Sequence, residues 1–243
     1  MQPELKPVRT DNQGFGRAPY QAAPEVAYST AQGQKVLRNT YLLLAATMVP
    51  TVIGAAIGIQ TASIIMASPI VASLVMLAAV IGLQFAIAAN RNSGVGVALL
   101  LLMTGILGWW LGPILNVALS MKNGIQLVGY AAVGTGVIFA GMAMLSQTIK
   151  RDLGFMGKFL FIGMIALLVA AIANMFLQIP ALALTISTLV IVVFSGFLLY
   201  DLQRIIRGGE DNYIMATTGV YMSLFNIFAS LLHLLLALGG EKD

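Results

Sequence analysis

Apolar residues along this chain gather in seven runs of roughly 20 residues, separated by short polar breaks. A helix rises 1.5 Å per residue, so a run of that length crosses a hydrocarbon core about 30 Å thick. The runs extend from about Asn39 to Gln60, Pro69 to Ala89, Gly94 to Leu119, Ile125 to Gln147, Phe155 to Leu177, Ala181 to Leu202 and Tyr213 to Leu238. Because the breaks are short, neighbouring helices are expected to run antiparallel. Composition agrees: 59% of the 243 residues are hydrophobic and 9% are charged, against about 25% charged in a typical soluble domain. So few charges cannot cover a water-exposed surface. The expected fold is an all-α integral membrane protein, a seven-transmembrane-helix bundle over residues 38–243.

Residues 1–37 precede the first run and have a different character. Four prolines (Pro3, Pro7, Pro19, Pro24) and scattered charges leave little apolar periodicity, the composition of a disordered tail. The first 30 residues lack the apolar core of a cleavable signal, so the first span is expected to direct insertion itself.

Charge placement gives an orientation. With the N-terminus in the cytoplasm, the inner side collects Lys6, Arg9, Arg17, Lys35 and Arg38, then Arg91, then Lys150, Arg151 and Lys158, then Arg204 and Arg207; only Lys122 and Lys242 fall outside. Such a bias is the positive-inside pattern, and it places the C-terminus in the periplasm if all seven runs cross. A six-span arrangement with a re-entrant last segment is the rival. Gly54 and Gly58 in the first run, and Gly108 and Gly112 in the third, have the spacing that lets membrane helices approach closely. Pro50 and Pro113 are expected to kink their helices. Trp109 and Trp110 become interface anchors if the third span ends near Gly112.

Polar residues inside apolar runs are the default sites for function, because each is costly to bury in lipid. Asp201 stands out as a carboxylate about one turn from the cytoplasmic end of the sixth span. Three outcomes compete for it: solvation beside the headgroups, pairing with Arg204 at i+3, or an inward turn toward the seventh span, where it would act as a pH-dependent latch. In the seventh span Ser223, Asn226, Ser230 and His233 are spaced 3, 4 and 3 and fall on one helix face. The pH-sensing or gating candidates are therefore Asp201, Ser223 and Arg204, with Asn226, Ser230 and His233 as a polar stripe beyond them.

Other chemistries find little support. There is no cysteine and a single histidine, too few ligands for a catalytic metal centre. Ser223 and Asp201 lie toward the inner half while His233 is about 15 Å further along its helix, so no Ser-His-Asp set forms. The Gly-x-Ser-x-Gly loop of a rhomboid-type protease is absent, and the paired glycines do not make a GxGxxG fingerprint. No enzymatic activity and no cofactor are expected, and the modest net charge of +4 is read as orientation rather than as nucleic-acid affinity.

The segments KVLRNTY (from Lys35), LGPILN (from Leu111), KRDLGFMGKFL (from Lys150), ANMFLQIPALALTIS (from Ala173), RIIRGGEDNYIMAT (from Arg204) and YMSLFNIFASLL (from Tyr221) resemble the Bax-inhibitor family of seven-helix membrane proteins, most closely its bacterial YccA branch. The likeness spans about residues 35–238. It implies a bundle whose last helix is central. In the wider family it implies a pH-sensitive calcium leak gated by an aspartate pair on the last two helices. One of that pair matches Asp201, in a Tyr-Asp-x-Gln setting; the other falls at Ser223. A serine cannot share a proton with Asp201, so two-carboxylate titration is absent here. The YccA branch resembles this chain in having that serine. For it the resemblance implies a protein of the bacterial inner membrane that associates with the FtsH protease and its membrane regulators, as substrate and as inhibitor, with the N-terminal tail as the handle.

Overall fold

The computed structural model describes the backbone of residues 23–149 and 153–239, with side chains from Gly33 onward. These residues form nine helices: α1 (Ala23–Gln60), α2 (Ala62–Ala67), α3 (Pro69–Ala89), α4 (Gly94–Trp110), α5 (Gly112–Leu119), α6 (Gly124–Thr148), α7 (Gly154–Leu177), α8 (Pro180–Ile206) and α9 (Tyr213–Gly239). Six of them are individually long and apolar enough to cross a membrane, and α4 with α5, which meet at a bend of 40°, together have the length and composition of a seventh span. The bend has a local cause. Pro113 has no N–H to donate, and its ring conflicts with the carbonyl of Trp109 four residues back, so α4 stops at Trp110 and α5 restarts beside the proline. Pro50, by contrast, lies within an uninterrupted α1.

The chain is helical from Ala23, so a structureless tail does not reach to residue 37; residues 1–22 lie outside the described ones. Gly33 brings this early part of α1 against the C-terminal end of α8, where an added Cβ would sit 3.0 Å from the Ile205 carbonyl oxygen and 3.1 Å from that of Ile206.

Helix α9 is the centre of the bundle. It buries eleven residues, whereas α7 buries one, Leu160. Helices α1, α3, α4, α6 and α8 all pack on α9, and α7 packs mainly on α8. The main core joins Leu44, Leu100, Met103, Leu198, Leu202 and Ile227 to the completely buried Val220 and Ile214. A smaller core of Ala118, Leu127, Ala131, Leu232 and Leu236 closes the other end. Large apolar side chains such as Phe85, Val137, Phe155, Phe159 and Ile162 point outward, as they must where the surrounding medium is lipid.

Buried polar groups in the bundle are tied down. Thr40, Thr47 and Thr51 of α1 donate to the carbonyls of Val36, Leu44 and Thr47 within their own helix. Tyr221, 2% exposed, hydrogen-bonds Thr51 at 2.8 Å and reaches the Thr104 carbonyl at 3.3 Å, so α9 is joined to α1 and α4 at one point. The glycine pairs of the first and third spans meet each other. A Cβ at Gly54 would strike the Gly105 carbonyl, one at Gly58 the Trp109 carbonyl, one at Gly108 the Thr51 carbonyl and one at Gly112 the Gly58 backbone. Trp109 donates its indole N–H to the Thr61 hydroxyl at 2.8 Å.

Candidate functional site

The C-terminal end of α8 and the N-terminal end of α9 are held by a short loop whose turns are explicit. Gly208, with φ of 74°, ends α8 in the left-handed conformation that glycine adopts without strain, and the Gly209 N–H returns to the Arg204 carbonyl at 2.8 Å. Asn212 then caps α9: its Oδ1 accepts from the backbone N–H groups of Ile214 and Met215 at 3.0 and 3.1 Å. Its Nδ2 donates to the Arg91 carbonyl and to Asn92 Oδ1, both at 2.8 Å, which fastens the loop to the α3–α4 turn. On the other side Gln203, 2% exposed, donates to the Ile149 carbonyl and accepts from the Leu153 N–H, each at 3.1 Å. Arg207 donates to the same Ile149 carbonyl. The end of α8 is thus pinned to Ile149 and Leu153, and the start of α9 to the α3–α4 turn.

Between these pins lies a cavity of about 190 Å³ lined by Gln84, Asp201, Arg204, Glu210, Thr218 and Gly219, together with Ile205, Met215 and Ala216. Asp201 turns inward toward α9, the third of the outcomes considered for it. It faces Gly219 rather than Ser223: a Cβ built on Gly219 would stand 2.8 Å from Asp201 Oδ2. Among the described residues no donor or cation lies within hydrogen-bond or ion-pair range of its carboxylate. Arg204 does not pair with Asp201. Its guanidinium binds Glu210 at 3.1 Å and the Gly209 carbonyl at 3.0 Å, because the glycine turn folds the loop back over the last turn of α8. Glu210, which the helix spacing gave no reason to select, is the second carboxylate of this cavity.

The polar stripe of α9 does not act as one surface. Ser223, 2% exposed, lies one turn beyond Gly219. Asn226 bonds to the Met222 carbonyl in its own helix and borders a separate pocket of about 400 Å³ between α9, α5 and the start of α3. Ser230 is buried. His233 meets α8, with Nδ1 2.8 Å from the Ser187 hydroxyl, which in turn lies 3.0 Å from the Ala183 carbonyl. With the hydroxyl proton on that carbonyl, Ser187 accepts from His233, a helix-to-helix tie. Asp201 is fourteen positions from Ser187 on the same helix, about 21 Å away, so it does not orient this histidine. Among the described residues no three His, Cys, Asp or Glu side chains cluster to hold a metal ion.

Chains similar to this one share nearly its whole length. A membrane protein of Vibrio cholerae is 42% identical over 210 residues, covering 85% of this chain and 91% of its own. A protein of Neisseria meningitidis serogroup B is 39% identical over 215 residues, covering 87% and 95%. The Escherichia coli K12 protein named Modulator of FtsH protease YccA is 40% identical over 201 residues, covering 83% of this chain and 89% of its own. The family model described as Inhibitor of apoptosis-promoting Bax1 matches residues 33–240, the whole bundle from the Gly33 contact to the end of α9. With its helical bundle and central last helix, this chain belongs to the Bax inhibitor family.

Proposed function

We propose that this chain is a non-enzymatic interaction protein of a bacterial inner membrane that modulates the FtsH protease. The observation that carries the reading is the 40% identity, over 83% of this chain, to the relative named for that role. The contacts described fit that reading: Ser187 and His233 tie α8 to α9, and Glu210 holds Arg204. The segment ahead of α1 is the handle in this reading, with the N-terminus in the cytoplasm. Deleting residues 2–22 should lengthen the protein's half-life in cells and raise the level of other FtsH substrates. Equal half-lives in strains with and without the protease reject the reading.

A second reading, a pH-sensitive leak for calcium or another cation, is favoured by one observation, the carboxylate of Asp201 in the cavity where α8 ends and α9 begins, without a hydrogen-bond or ion-pair partner among the described residues. Calcium takes 6–8 oxygen ligands, so here water would supply most of them. Reconstituted protein should then pass calcium into liposomes, and Asp201→Asn should reduce the flux severalfold. Flux equal to that of empty liposomes at every pH tested rejects this second role.

A further inference from the structure

Along Gly54 and Gly58, the contact between α1 and the bent third span is made by backbone. The atoms that a Cβ would strike at Gly54, Gly58, Gly108 and Gly112 are all main-chain atoms, and main chain cannot rotate out of the way as a side-chain tip can. Hydrogen bonds cross the same seam: Trp109 to the Thr61 hydroxyl at 2.8 Å, and Asn116 to the Ile59 carbonyl at 3.1 Å. In lipid, helices are held together by close packing and hydrogen bonds, since the hydrophobic effect does not favour helix over lipid. To slide along its axis, α1 must lift carbonyls out of glycine notches that face in both directions. Sliding of α7, which rests mainly on α8 through side chains, meets no comparable barrier.

We propose that the seam of α1 with α4 and α5 is a mechanical stop, so that force applied at the N-terminus dislocates α1 only together with α4 and α5. The stop sets the chain's resistance to extraction from that end. Its cellular meaning, slow extraction by an ATP-driven membrane protease pulling on the tail, rests on the function proposed above; the mechanical behaviour rests on the seam alone.

A reversible staple tests it. The chain has no cysteine, and a Cβ at Gly105 would lie 3.7 Å from the Cβ of Pro50, within the range of a disulfide. The full-length P50C/G105C protein and the unmodified protein are pulled from the N-terminus out of a lipid bilayer, and the extension of the first step is read. The expected first step in the unmodified and reduced proteins frees the chain through Leu119 at a force close to that of the oxidised protein, and Gly54→Ala lowers that force. A first step that frees the chain only through Gln60 overturns the proposal, as does an oxidised form that needs far more force than the reduced one. Should Gly54→Ala fail to insert, the staple comparison still decides. In liposomes containing purified FtsH, the oxidised protein should be degraded at a rate within about twofold of the reduced one, since a stop already present leaves little for the staple to add; slowing by about tenfold or more, the scale of a new covalent constraint, counts against it. If FtsH engages neither form, the proposed function fails while the pulling steps still decide the seam.

Discussion

Gln203 shows how much one side chain carries at the C-terminal end of α8. Its amide closes two backbone groups, the Ile149 carbonyl and the Leu153 N–H, on either side of the α6–α7 turn. Gln203→Ala leaves the Leu153 N–H without its acceptor and the Ile149 carbonyl with Arg207 alone, and should cost about 1–3 kcal/mol, read as a lower midpoint of thermal unfolding in detergent; an unchanged midpoint would show that water replaces the amide. In the sequence Gln203 was visible only as the last letter of Tyr-Asp-x-Gln. Asp201 was legible as the carboxylate to watch, because an acid in an apolar run is rare. Its neighbour Gly219 was not legible, since a contact between two helices depends on how each is rotated about its axis, and spacing within one helix leaves that rotation open. Arg204 went to Glu210 for a related reason: the choice was made by the turn at Gly208, outside the helical register that suggested Asp201.

At the scale of the element, the seven runs translated almost residue for residue into spans, since length and hydropathy are local properties. The break at Leu111 was half legible: Pro113 marked a kink, but that the span would divide into two helices 40° apart depends on α1 and α2 packing against the second piece. The stripe of Ser223, Asn226, Ser230 and His233 kept its spacing yet lost its meaning as one face. A helix surrounded by neighbours has no single outward side, and a spread of even one turn distributes the four residues among different partners. The cap of α9 is a further case of an element held from outside. Asn212→Ala removes the one acceptor of two N–H groups and the tie to Arg91 and Asn92, and should cost about 1 kcal/mol. Hydrogen exchange should rise in the first turn of α9 and in the α3–α4 turn together; a rise confined to α9 would show that the two are not coupled.

For the whole molecule, the membrane class and the family were readable from composition and from motifs spread over several spans, while the sidedness of the bundle rests on basic residues alone. Single cysteines in this cysteine-free chain check it. Asn92→Cys and Asp211→Cys should react with an impermeant reagent only from the cytoplasmic face, and Lys122→Cys only from the opposite one; the reverse pattern would invert the topology. The seam between α1 and α4 also bears on synthesis. Helix α1 leaves the ribosome well before α4 exists, so its glycine notches must wait in the bilayer unfilled. Its threonines make the wait tolerable: Thr40, Thr47 and Thr51 each donate to a carbonyl of α1 itself, so these three hydroxyls need no partner outside the newborn helix. The first span is in this sense self-sufficient at birth, and its most intimate contact is formed with a helix made two spans later.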